Sequence, residues 1–245
     1  MQSSNIWGKF NIRRYKTLIV LLLIILPAAL FAQRRKQVYN PNYDQRWISY
    51  GFLLQGHTST YQIKYSDAFV SDNFDSLYSI SPRWSTGFSL GFIVNVKLEA
   101  YFDLRLTPTV SFREYKVDYE FVDDPTDNQL IETAVVELPL MLKYKSARRG
   151  NTRMYFVGGL NPGFEVSGKN RNEDFSDEYL TTKEFNLAGE LGFGVDIYYP
   201  LFKFSPEIRF SKGFTNILSG DADNPYGAGI DRINTNTVSL ILFFQ

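Results

Sequence analysis

Val135-Val136-Glu137-Leu138-Pro139-Leu140-Met141-Leu142-Lys143-Tyr144-Lys145 decides the fold, together with Arg153-Met154-Tyr155-Phe156-Val157-Gly158-Gly159-Leu160-Asn161-Pro162-Gly163-Phe164-Glu165-Val166. The turn Ser-Ala-Arg-Arg-Gly-Asn-Thr joins the two arms. In the first arm Val136, Leu138, Leu140, Leu142 and Tyr144 share one face, and Glu137, Met141 and Lys143 the other. In the second, Met154, Phe156, Leu160, Phe164 and Val166 oppose Tyr155, Asn161 and Glu165. A period of two marks strands, because successive side chains point to opposite faces. The apolar face is broad, aromatic and uninterrupted, while the other carries charges at mid-strand. That polarity suits a wall with lipid outside and a polar lumen within.

The same alternation recurs along the chain. Strands are expected at about Arg46–Gln55, Trp84–Val96, Ala100–Tyr115, the two arms above, Glu184–Tyr199, Phe202–Lys212 and a last one ending at Gln245. Long polar loops are expected at His57–Arg83, Asp123–Gln129, Ser167–Lys183 and Gly213–Asp231. Short turns fall near Lys97-Leu98-Glu99, in the arm-to-arm turn and at Pro200. After Tyr115 the apolar residues Val117, Tyr119 and Phe121 change parity, which predicts a bulge or a lid-like extension. Long loops alternating with short turns are the rhythm of an all-β, eight-stranded, antiparallel up-and-down transmembrane β-barrel of outer-membrane type. Trp47, Tyr101, Tyr144, Tyr155, Tyr198, Tyr199, Phe202 and Phe243 gather at the short-turn strand ends, as an interfacial aromatic girdle would. A soluble barrel would turn the apolar face inward, around a ligand.

The amino terminus fits an exported chain. Lys9, Arg13, Arg14 and Lys16 precede the apolar run Leu18–Leu26 and the small-residue stretch before Ala32. That order reads as a signal peptide over residues 1–32, cleaved after Ala32, rather than an uncleaved anchor. Residues 33–45 read as a short, flexible periplasmic lead-in, and 46–245 as the barrel. Cleavage leaves 22 basic against 26 acidic side chains, a formal charge of −4. No basic, aromatic-interleaved stripe suggests nucleic acid. The chain has no cysteine, so thiolate metal sites and disulfides are excluded.

Eight strands close around an interior wide enough only for side chains. Its expected lining is Asp103, Arg105, Arg113, Glu137, Lys143, Glu165, Glu190, Asp196, Lys203, Glu207 and Arg209. Mixed signs favour a plugging network of ion pairs over an ion path along the same residues. Catalytic constellations are thin: His57 stands at the loop end of the first strand near Thr58, Ser59 and Asp67, without a positioned third group. Asp123, Asp124 and Asp127, and Asp221, Asp223 and Asn224, lack calcium-loop spacing. Gly158-Gly159 with Gly163 lacks the Lys-Ser/Thr of a phosphate loop. No catalytic, metal or cofactor-binding residue is expected, and no small-molecule substrate.

The run Glu137–Lys145, the basic turn with Arg148-Arg149, and Arg153–Gly159 resemble the PorT-type outer-membrane barrels of Bacteroidota, associated with type IX (Por) protein secretion. The Ala32-Gln33 junction also looks like that of exported proteins of this phylum. The Leu-Pro-Leu and Lys-Tyr elements are shared with the wider set of small Bacteroidota barrels. Gln245 follows Phe244, where a barrel-insertion signal ends on the aromatic. The resemblance implies a non-enzymatic accessory or assembly role in the outer membrane. Its partners would be the lipid bilayer and other secretion components, with Arg148 and Arg149 as a candidate docking turn. A generic barrel with a structural or loop-binding role is the alternative.

Overall fold

A computed structural model of the chain describes residues 37–66, 77–121, 127–166, 183–218 and 230–245. The expected signal segment and the tips of the four polar loops, with Asp67, Asp123, Asp124, Asp221, Asp223 and Asn224, lie outside the described residues.

Alternation of apolar and polar residues, interrupted by apolar runs at Phe52-Leu53-Leu54 and Leu240-Ile241-Leu242-Phe243-Phe244, produces eight barrel strands among the described residues, three of them nicked. They are β1 (Ile48–Tyr65), β2 (Leu77–Arg83) continuing as β3 (Ser85–Lys97), β4 (Phe102–Leu106) continuing as β5 (Thr109–Phe121), and β6 (Asp127–Glu137) continuing as β7 (Leu140–Lys145). β8 (Thr152–Glu165), β9 (Phe185–Tyr198), β10 (Lys203–Gly213) and β11 (Ile230–Phe244) complete the wall. Each pairs antiparallel with its sequence neighbour, and β11 returns to β1 in register from Phe52↔Phe244 to Lys64↔Arg232. β1 pairs with β3 as far as Ser59↔Ser85 on its other side, so the lower wall is closed as a lipid environment requires, while β2 above it pairs only with β5 among the described residues.

Prolines explain two of the nicks. Pro108 and Pro139 have no N–H to give to the ladder. Neighbouring amides still bridge the gaps: Thr107 N donates to Pro139 O at 3.1 Å, and Leu138 N to Pro162 O at 3.0 Å. Side-chain parity survives the nick, with Leu138 and Leu140 outward and Pro139 buried.

The outward rows are apolar and bare. Phe92 and Leu191 are each 70% exposed, Phe156 is 61% exposed, and Leu90, Leu142, Leu160, Phe193 and Phe210 join them. Lipid, not a second protein layer, is the partner such a belt requires. Trp47, Tyr101, Tyr144, Tyr199 and Phe202 are exposed at the short-turn end, where a girdle belongs. Tyr155, Tyr198 and Phe243 correct the expectation: they occupy inward parity and are fully buried. Strand-end position alone does not make a girdle residue; the face it points from does.

Strands run further than expected at the long-loop end. β1 continues through His57 to Tyr65, and β11 begins at Ile230. No bulge interrupts β5; it stays in register with β6 from Thr109↔Glu137 to Tyr119↔Asp127. The changed parity instead puts apolar residues inside. Tyr61, Ile80, Tyr115, Val117, Ile217, Ile230 and Ile233 form one buried cluster, with the Tyr61 and Tyr115 rings stacked at 4.1 Å. Outward there stand Gln62, Lys64, Arg83, Lys116 and Arg232. Where the wall leaves lipid for water, its polarity reverses.

Candidate functional site: a charge-filled lumen and its mouth

Below the apolar cluster the interior carries a chain of ion pairs, packed beside two smaller apolar groups, Leu53, Ile93, Ile241 and Phe243, and Met141, Tyr155 and Val157. Starting near the short turns, Lys145 Nζ donates to Asp103 Oδ1 at 2.5 Å and Asn95 Nδ2 to Asp103 Oδ2 at 3.0 Å. Arg105 Nη1 reaches Glu207 Oε2 at 2.6 Å, and Arg209 donates to the other Glu207 oxygen at 2.5 and 2.9 Å. Arg209 Nη1 then reaches Glu190 at 3.0 Å. Asn161 Nδ2 bridges Glu190 and Glu137 at 2.9 and 3.0 Å, and Arg113 Nη2 donates to Glu137 at 2.6 Å. A second group holds Lys143 on both oxygens of Asp196, at 2.9 and 2.7 Å, with Ser205 Oγ donating to the same carboxylate.

Burial makes these contacts strong and their loss expensive. Arg105 and Glu207 side chains are 0% exposed. Removing one partner of such a pair strands the other away from water, at about 3–5 kcal/mol. Rings complete the packing: Arg105 lies between Tyr155 and Phe243, 5.1 and 4.7 Å from their centroids. Lys143 Nζ sits 3.7 Å from the Tyr155 centroid. Tyr155 fits because Gly194 stands opposite; a Cβ there would meet its Cζ at 2.5 Å.

The structure therefore brings Asp103, Arg105, Arg113, Glu137, Lys143, Glu190, Asp196, Glu207 and Arg209 into bonded contact. Lys203 is buried lower down, its ammonium 4.7 Å from the Tyr43 ring. Glu165 sits higher, half-buried beside a cavity of about 40 Å³ beneath the apolar cluster. Lys145 and Asn95 were not foreseen, although both share inward parity with residues that were. His57 is also displaced from expectation. It lies mid-strand in β1, not at a loop end, and is 5% exposed inside the lumen. Its Nδ1 is 3.3 Å from Ser89 Oγ, which donates to Ser111, and Ser111 accepts from Arg113 Nε. The hydroxyl relay ends on a cation, where a nucleophile's base would require an acid behind it.

The lead-in corrects a second expectation. Its described part is not free but strapped across the short-turn mouth. A one-turn 3₁₀ helix, Tyr43–Gln45, places Tyr43 inward and Asp44 among cations. Arg153 grips both Asp44 oxygens at 3.1 Å, Tyr198 Oη donates to Oδ1 at 2.7 Å, and Lys97 Nζ donates to Asp44 O at 2.9 Å. Arg148 lies 3.6 Å from Asp44, stacks 3.7 Å above the Tyr198 ring and donates to the carbonyls of Tyr39 and Asn40. Burial pushes the Tyr43 phenol up to about 12 and keeps it neutral. Arg148 is thus engaged within the chain, whereas Arg149 is exposed on the turn. No local sequence pattern announces these contacts, because their partners are 53 to 154 residues apart.

Three solved structures, the first of them an outer membrane protein, are similar in outline. OprG from Pseudomonas aeruginosa is 16% identical, with a TM-score of 0.43, covering 79% of this chain and 94% of that one. Neisserial surface protein A is 11% identical, with a TM-score of 0.39 and coverage of 81% and 98%. Ail, the attachment invasion locus protein of Yersinia pestis, is 10% identical, with a TM-score of 0.34 and coverage of 80% and 96%. No curated protein matches the chain. A family model described as outer membrane protein beta-barrel domain matches residues 31–219. With most of the chain matched and the wall closed, the protein belongs to the outer-membrane β-barrel domain family and resides in the outer membrane.

Proposed function

We propose that this outer-membrane barrel is a non-enzymatic, non-conducting anchor that takes part in type IX (Por) protein secretion as an accessory or assembly component. The observation that supports an anchor is the ion-paired lumen, whose side chains occupy the space a diffusing solute would need. The likeness of the β7–β8 hairpin to PorT-type barrels supports the secretion role. Export would remove residues 1–32, and amino-terminal sequencing of the membrane-bound protein should then begin at Gln33. Docking to other secretion components would use Arg149 on the periplasmic turn, since Arg148 is held by the lead-in.

Deleting the protein should trap secreted cargo in the periplasm while the outer membrane stays sealed to small dyes. An unchanged set of secreted proteins would defeat the secretion reading. The tall wall extension beyond the lipid belt favours a second reading, a barrel that binds through its surface loops. In that case removing residues 167–182 would abolish surface binding and leave secretion intact.

A further inference from the structure

The periplasmic mouth is built to receive an aromatic side chain followed by a carboxylate. Tyr43 enters first, its ring meeting Tyr198 edge-on at 5.9 Å with the Lys203 ammonium above it. Asp44 follows into a cradle of two guanidiniums and a phenol. Arg153 approaches it with both terminal nitrogens, the fork geometry that distinguishes a carboxylate from a neutral amide. These donors come from separate parts of the wall: Lys97 ends β3, Arg153 lies in β8, and Tyr198 ends β9. The cradle is therefore a property of the closed barrel. Without Asp44, Arg148 and Arg153 would face the mouth as two partly buried cations, an arrangement that calls for an anion.

We propose that this mouth is a peptide socket reading an aromatic residue followed by an acid, that its resident ligand is the chain's own Tyr43-Asp44, and that seating this segment closes the lower lumen to the periplasm. The lumen behind it holds Ser205, Asp196 and Lys143, all buried. The lead-in then acts as a lid whose charged latch is the Asp44 carboxylate, assisted by the bonds of Arg148 and Lys97 to its backbone carbonyls. The secretion role plays no part in this reasoning, so either can fail without the other.

The absence of cysteine from the chain makes the test clean. Ser205→Cys places one thiol just inside the mouth of the full mature protein, reconstituted in lipid vesicles. Labelling by a charged, membrane-impermeant thiosulfonate from the short-turn side reads lid opening, and heat-dependent gel mobility reads the folded wall. Adding Asp44→Asn should speed labelling about tenfold or more, given the charge-assisted bonds removed. Tyr198→Phe, which removes a single donor, should give a smaller increase. A synthetic peptide of residues 39–47 at millimolar concentration should then slow labelling of the Asp44→Asn chain, and the same peptide carrying Asp44→Asn should not. Equal labelling with and without Asp44→Asn overturns the lid, and equal protection by both peptides overturns the carboxylate reading. An Asp44→Asn chain that loses folded mobility also overturns the proposal, because a lid is dispensable to the wall it covers.

Discussion

Glu207→Gln is the sharpest probe of the lumen. Glu207 is the hub between Arg105 and Arg209, accepting three hydrogen bonds of 2.5–2.9 Å with its side chain fully buried. The amide keeps the shape, removes the charge and turns one acceptor into a donor facing a guanidinium. Arg209 retains Glu190 at 3.0 Å, but Arg105 is left with a long contact to Asn95 at 3.5 Å, its two aromatic neighbours and the more distant Asp196 charge. Leaving one buried cation without its anion costs about 3–5 kcal/mol. Reversible unfolding by guanidinium in lipid vesicles, followed by tryptophan fluorescence, measures that loss. A midpoint shift with unchanged slope would assign it to stability rather than to a changed denatured state. A loss below about 1 kcal/mol would refute the reasoning, since that is the range of exposed, hydrated pairs. The lumen would then be wet, and the case for a non-conducting anchor would go with it.

Two further predictions concern the wall. Phe156→Arg puts a cation in the outward belt and should destabilise the inserted barrel by about 2–4 kcal/mol if the site lies near the bilayer midplane, measured by the same unfolding. Gly87→Val should disrupt β3, because a Cβ there meets His57 Nε2 and Phe112 O, each at 2.4 Å. Overpacking of that kind costs about 1–3 kcal/mol, and a fall in the folded band on unheated gels would register it.

The lower wall was legible in the sequence because one rule governs it. From Phe88 to Val96 or from Leu191 to Ile197, outward residues meet lipid and most inward ones are small or polar, so alternation assigns both faces, with Ile93 as an inward exception that packs on Leu53, Ile241 and Phe243. The rule fails above the belt. Tyr61, Tyr115, Val117 and Ile233 point inward as greasy residues because the outer face there meets water. A reader applying a single polarity ends β1 at Gln55, takes His57 for a loop residue and looks for a bulge after Tyr115. Tyr155 and Phe243 escaped for a related reason: aromatic rings lie flat against buried guanidinium and ammonium groups, so inward parity does not exclude them. The strap was illegible altogether. Asp44 and Arg153 meet only because the barrel closes, and a short polar segment carries no periodicity that reports it.

The central claim is that the apolar rows face acyl chains. Trp47 and Trp84 test it without mutation, since both are outward, at 74% and 56% exposure, near opposite ends of the belt. The mature protein, which would retain only these two tryptophans once residues 1–32 are removed, should be reconstituted in lipids brominated close to the headgroup. Strong quenching of the tryptophan emission is the predicted result. Emission unchanged by the bromines, or a protein that stays dissolved without detergent, would contradict the account.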